Sequence, residues 1–174
     1  MPNITGQKIE SKEFIYIFDI SIISESMKNN NFENPKETIF YQIEKAIKQY
    51  RTMAQNNLNK LGYSITINQI LILIEIEKRP EISQVELSEL LFKDVASITR
   101  MIELLFKRGF LSRKENETDR RKKDLRITDK GREILELAIP IIKENRQTAL
   151  EKINAEEQEN LLSTLNKIIL NTSK

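Results

Sequence analysis

The chain has 174 residues, with 28 Lys and Arg against 26 Asp and Glu, a formal net charge of +2, four Gly, four Pro, and neither Cys nor His. That length allows one domain with a proper core, or one domain plus a helical layer, and so few Gly and Pro leave little material for loops. The missing residue types exclude disulfides, thiol redox sensing, Cys/His metal sites and His-dependent nucleophiles.

The first 33 residues are the least readable. Phe14-Ile15-Tyr16-Ile17-Phe18 suits a strand or the start of an added helix, and Asn29-Asn30-Asn31 suits a loop. We read this segment as an N-terminal extension forming an added helix. Its apolar run, Phe14 to Ile23, is broken by Asp19 and has no basic region before it. It is too short to cross a bilayer, so no signal peptide or membrane anchor is expected and the protein is placed in the cytoplasm.

Asn34-Pro35-Lys36-Glu37 offers an N-cap, a first-turn proline and an acidic first turn. A helix is predicted from Pro35 to about Leu61, where Gly62 stops it. Its stripe includes Ile39, Ile43, Ile47, Tyr50, Ala54, Leu58 and Leu61. Thr66-Ile67-Asn68-Gln69 and Ser83-Gln84-Val85-Glu86 are capping boxes. The first opens a short buried helix, Ile67 to Lys78, ended by Pro80. Glu81-Ile82-Ser83 is expected to form a single bridging strand. The second capping box opens a helix over Gln84 to Phe92. Asp94 caps the next, Val95 to Arg108, and Gly109 ends it. Leu111 to Glu115 and Asp124 to Thr128 read as a hairpin with its tip at Asn116 to Lys123. Thr128 caps a helix from Asp129 to about Leu150, in which Pro140 should impose a kink or break. Asn154 caps the last helix, striped by Leu161, Leu162, Leu165, Ile168 and Ile169.

Helix, helix, strand, basic turn, strand is the order of a winged helix-turn-helix. The expected class is therefore mainly α (α+β), a winged DNA-binding lobe between N- and C-terminal dimerisation helices. The corresponding segments are 1–33 for the extension, 34–64 for the first dimerisation helix, 65–130 for the lobe and 131–174 for the C-terminal helices. The end helices have little core of their own on which to bury their stripes, so a second copy of the chain is the expected partner.

Overall charge says nothing about nucleic acid, but its distribution does. Lys107 to Arg126 holds nine basic and four acidic residues, which leaves the rest of the chain at −3. In the helix from Val95, the residues Ala96, Ser97, Thr99 and Arg100 are expected to face outward at the leading end. Small residues let the backbone approach base edges, hydroxyls bond phosphate or base, and Arg can pair bidentately with guanine. At the hairpin tip, Arg120, Arg121, Lys122 and Lys123 put four consecutive cations on a turn. A narrow minor groove attracts inserted Arg. Asp119, two residues before Arg121 and on the same side of the strand, can hold that guanidinium extended.

These pieces in this order resemble the MarR family of bacterial transcriptional regulators. The resemblance rests on Ile65-Thr66-x-x-Gln69-x-x-x-Leu73, Leu87-Ser88-x-x-Leu91, Ser97-Ile98-Thr99-Arg100, Arg108-Gly109-Phe110, Asp119-x-Arg121 and Leu125-x-Ile127-Thr128-x-x-Gly131. It implies an obligate, triangular homodimer on a palindromic operator of double-stranded DNA. Arg121 would enter the minor groove, oriented by Asp119, with Ala96, Ser97 and Arg100 facing the major groove. It also implies repression relieved by a small-molecule effector, although no particular ligand or pocket is indicated. No cofactor, metal or membrane partner is expected. Two departures stand out: Phe92 occupies a position where many members carry a turn glycine, and the 33-residue extension exceeds the usual N-terminal arm.

The alternative is a winged helix used for protein contact without specific DNA binding. Salt dependence separates the two, since phosphate binding falls with a log–log slope of about 0.9 per neutralised phosphate. An enzyme is not expected. Only carboxylates, Lys, Tyr and Ser remain for chemistry, and there is no Gly-rich phosphate loop.

Overall fold

The computed structural model describes residues 34–115 and 123–173. The extension, residues 1–33, and the hairpin tip lie outside the described residues. The chain divides into two compact units, residues 1–48 and 49–174.

In the described part of the first unit, Asn34 Oδ1 accepts the Lys36 N–H at 3.2 Å and starts a 3-10 turn, Pro35–Glu37. Thr38 is extended, with ψ 147, so the predicted helix does not run on from Pro35. The Thr38 hydroxyl donates to the Pro35 carbonyl at 2.9 Å and accepts the Tyr41 N–H at 3.3 Å. That second bond opens α1, Ile39–Asn59. Ile39, Phe40, Tyr41, Ile43 and Ile47 are exposed.

In the second unit, the rest of α1 buries Ala54 and Leu58, and Gly62 ends the segment at φ +76. The Gln55 amide ties α1 to the start of the next helix, donating to the Ile65 carbonyl at 3.1 Å and accepting the Ile67 N–H at 3.0 Å. That helix is α2, Ile67–Lys78, and after it come α3, Gln84–Leu90, and α4, Val95–Lys107. Both predicted capping boxes are present, with Gln69 and Glu86 returning their side chains to the cap N–H. One core joins Ile70, Ile72, Leu73 and Ile76 of α2, Leu87 of α3, and Ile98, Ile102 and Leu105 of α4. Each such side chain contributes about 1.5–3 kcal/mol by leaving water.

The hairpin consists of β1, Leu111–Glu115, and β2, Lys123–Ile127, antiparallel with Leu111 opposite Ile127 and Glu115 opposite Lys123. The third strand expected at Glu81 to Ser83 is not present, and among the described residues the sheet has two strands. Ile82 is buried as its apolar side chain requires, but its N–H donates to the Arg79 carbonyl at 3.0 Å. A local turn satisfies the backbone there, leaving no ladder to join.

The junction after β2 is tightly built. Thr128 Oγ1 donates to the Gly109 carbonyl at 2.7 Å and accepts the Gly131 N–H at 3.1 Å, capping α5, Asp129–Ala149. A Cβ on Gly131 would clash with the Phe110 carbonyl and approach Ile127 Cγ2 to 2.7 Å. The Thr-x-x-Gly spacing thus presses α5 against both strand ends. Of the kink or break expected at Pro140, the break does not occur, and α5 is continuous through it. Pro140 and Glu136 are both exposed, so water can reach the carbonyl that lost its N–H partner. Asn154 caps α6, Ala155–Thr172, which buries no residue at all.

Candidate nucleic-acid interface

The α3–α4 pair is joined by a turn whose hydrogen bonds define its shape. Phe92 N–H donates to the Glu89 carbonyl at 3.2 Å and Lys93 N–H to the Ser88 carbonyl at 2.9 Å. This is a Schellman end, which requires a left-handed residue at its centre. Phe92 supplies it at φ 51. The glycine expected at this turn is absent, yet its conformation is kept. The end of α4 uses the same pattern, Gly109 to Phe106 and Phe110 to Leu105, with Gly109 at φ +75.

Asp94 then caps α4. Its Oδ1 accepts the Ser97 N–H and its Oδ2 accepts the Ser97 hydroxyl, each at 2.7 Å. The bonds from the Ser97 hydroxyl and backbone N–H hold the Asp94 carboxyl below its ordinary value, helped by the positive charge of Arg100. Ile98, Ile102 and Leu105 turn into the core, which leaves Ala96 and Arg100 exposed and Ser97 and Thr99 half-buried. The Thr99 hydroxyl donates to the Val95 carbonyl at 2.9 Å and lies 2.6 Å from Gln84 Oε1. Of the four predicted recognition residues, Ala96 and Arg100 present free outer surface. Ser97 shares its hydroxyl with the cap, and Thr99 links α4 to α3.

The exposed side of α4 continues into a shallow open cavity of about 840 Å³ lined by Arg100, Glu103, Leu104, Phe106, Lys107 and Arg113. Three cations and one carboxylate therefore share one surface, running from α4 onto β1. The Arg113 guanidinium lies 4.6 Å from the centre of the Phe106 ring. A ring face steadies a guanidinium without neutralising it, so Arg113 keeps its charge for an outside anion. Lys107 and Arg113 were not among the predicted site residues. The spacing of Arg100, Glu103, Leu104 and Lys107 is the signal that could have found Lys107, because residues three, four and seven apart share a helix face. Arg113 has no such signal, since a strand residue reaches this surface only through the hairpin's placement.

Asp119, Arg120, Arg121 and Lys122 lie outside the described residues. Lys123 begins β2, with its backbone opposite Glu115. Among the described residues no group of His, Cys, Asp and Glu is placed to hold a metal ion, and no helix is long and apolar enough to cross a membrane.

Comparison with known proteins points the same way as the geometry. The profile of the MarR family matches residues 65–123. The transcriptional regulator HosA of Escherichia coli O127:H6 is 28% identical over 130 residues, which span 75% of this chain and 93% of HosA. A mutant MarR from E. coli, solved in complex with operator DNA, superposes with a TM-score of 0.67 at 25% identity, covering 79% of this chain and 99% of that one. The Bordetella bronchiseptica protein BpsR, whose DNA binding is regulated by 6-hydroxynicotinic acid, superposes with a TM-score of 0.68 at 21% identity over 79% of this chain and 97% of BpsR, which shows a shared fold.

Proposed function

Because the chain belongs to the MarR family of transcriptional regulators, we propose that it is a homodimeric repressor that binds a palindromic operator and is released by a small-molecule effector. The observation that carries the DNA contact is the shared surface of α4 and β1, where Arg100, Lys107 and Arg113 line one open face running from the first half of the recognition helix to its end and onto the hairpin. Helix α4 reads the major groove through Ala96, Ser97, Thr99 and Arg100. Lys107 and Arg113, on one surface with Arg100, hold phosphates beside that groove. The hairpin tip, expected at Asn116 to Lys123, then reaches the neighbouring minor groove with Arg120, Arg121, Lys122 and Lys123, and Asp119 orients Arg121.

The exposed stripes support the dimer. Leu161, Leu162, Ile169 and Leu170 of α6 are all more than half exposed, at 52%, 63%, 57% and 72%. Monomers rarely leave such a stripe in water. With two copies, the recognition helices would enter successive major grooves about 34 Å apart.

Titration of a labelled duplex with the full chain at two salt concentrations tests the reading. Specific binding should weaken steeply as salt rises, and a scrambled duplex should compete poorly. Arg121→Ala should cost about 1–3 kcal/mol of binding if it reads a groove, with the melting temperature unchanged. Equal binding by mutant and wild type would remove the wing from the mechanism. Salt-insensitive binding, or none, would move the weight to the protein-contact reading.

A further inference from the structure

Two helices in this lobe end in the same Schellman pattern, and they place very different residues at its left-handed centre. The end of α4 has Gly109, which meets the conformation without strain. The end of α3 has Phe92, at φ 51, where a Cβ is disfavoured and an aromatic is a genuine outlier. A strained residue normally persists because its side chain packs into the core. Phe92 does not, since it is 86% exposed and belongs to no core cluster. The chain therefore accepts both a strained backbone and an aromatic ring largely in water, with little side-chain burial among the described residues in return.

The return must come from outside, and the position of Phe92 says from where. It stands two residues before Asp94, the cap of the recognition helix, and is flanked by exposed Leu90 and Val95. Lys93, its neighbour, is also exposed. The surface is thus continuous with the leading turn of α4, where DNA is expected.

We propose that Phe92 is a further DNA-contact residue, laying its ring against an apolar part of the duplex beside the groove that α4 enters. Two parts of DNA offer that chemistry, the thymine methyl group and the deoxyribose face. The proposal rests on the DNA-binding reading above, and it adds a contact made by the turn rather than by the helix or the wing.

The test uses the full chain and a duplex recovered by the wild-type protein from a library with a randomised centre. Phe92→Gly relieves the strain, so it should fold with a melting temperature at or above that of the wild type. Loss of the apolar contact should still weaken its binding to the recovered duplex by about fivefold or more. Phe92→Asn, which also tolerates the left-handed conformation, should lose a similar factor, whereas Phe92→Tyr should bind like the wild type. Replacing thymine by deoxyuridine then names the contact. If the replacement weakens the wild type but not Phe92→Gly, the ring meets a methyl group; equal weakening of both assigns it to deoxyribose. Wild-type affinity in Phe92→Gly and Phe92→Asn would overturn the proposal while leaving the DNA-binding reading intact. Failure of the wild type to recover any preferred duplex would overturn that reading, and this contact with it.

Discussion

The winged lobe and the last helix are built from similar residues and treat them in opposite ways. In the lobe, Ile72, Leu73, Leu87, Ile98 and Leu105 are fully buried against one another. In α6, Leu161, Leu162, Ile169 and Leu170 stand exposed and no residue is buried. Apolar periodicity in a sequence thus reports that a face needs covering, not what covers it. The lobe covers its own faces because α2, α3, α4 and the hairpin surround a common centre. Among the described residues, helix α6 has no such surroundings.

The largest effect should come from breaking that second region. Leu165→Glu places a charge on the α6 stripe and should abolish the dimer, and with it specific DNA binding, in sedimentation and titration experiments on the same samples. A variant that stays dimeric would refute α6 as the interface.

A matched pair sharpens the contrast. Leu105→Ala should lose about 2–5 kcal/mol of unfolding free energy, since it opens a cavity in a closed core. Leu162→Ala, the same deletion on an exposed face, should leave the fold of the lobe nearly unchanged and lower only the concentration-dependent part of the stability. Denaturant titration at several protein concentrations separates the two. Equal losses at all concentrations would mean α6 is covered within its own chain.

The smallest effect concerns acid. Hydrogen bonds from Ser97 hold the Asp94 carboxyl below its ordinary value, and those from Ser83, with Arg79, do the same for Glu86. A carboxyl lowered on folding contributes stability above its unfolded value, and this is lost as the pH falls through the lowered one. Stability should therefore decline below the ordinary carboxylate range, and Asp94→Asn should flatten part of that decline. Both groups lie at the surface, so the slope will be shallow. An unaltered acid limb in Asp94→Asn would exclude this cap as a contributor.

Much of the architecture was legible from local chemistry. The caps at Thr66, Ser83, Asp94, Thr128 and Asn154 are each present, because a cap is a bond between residues two or three apart. The features that were misread depend on neighbours distant in sequence. Ile82 looked like a strand residue because it is apolar and extended-prone, but its N–H is taken by the Arg79 carbonyl and no strand among the described residues lies alongside. Of the kink or break that Pro140 suggested, the break is absent because its side of α5 faces water. On α4, the exposure of Ala96 and Arg100 follows from helical periodicity, whereas the place of Arg113 over Phe106 depends on how the hairpin returns across α4.

By itself, then, the sequence determined where helices start and stop, which faces are apolar, and where positive charge collects. These features arise from hydrogen bonds and periodicities that span a few residues. Only the tertiary structure decided which apolar faces are closed, which cations share a surface, and that Phe92 holds a glycine's conformation with its ring in solvent. Those outcomes depend on what lies across space from each residue, and no local pattern contains that.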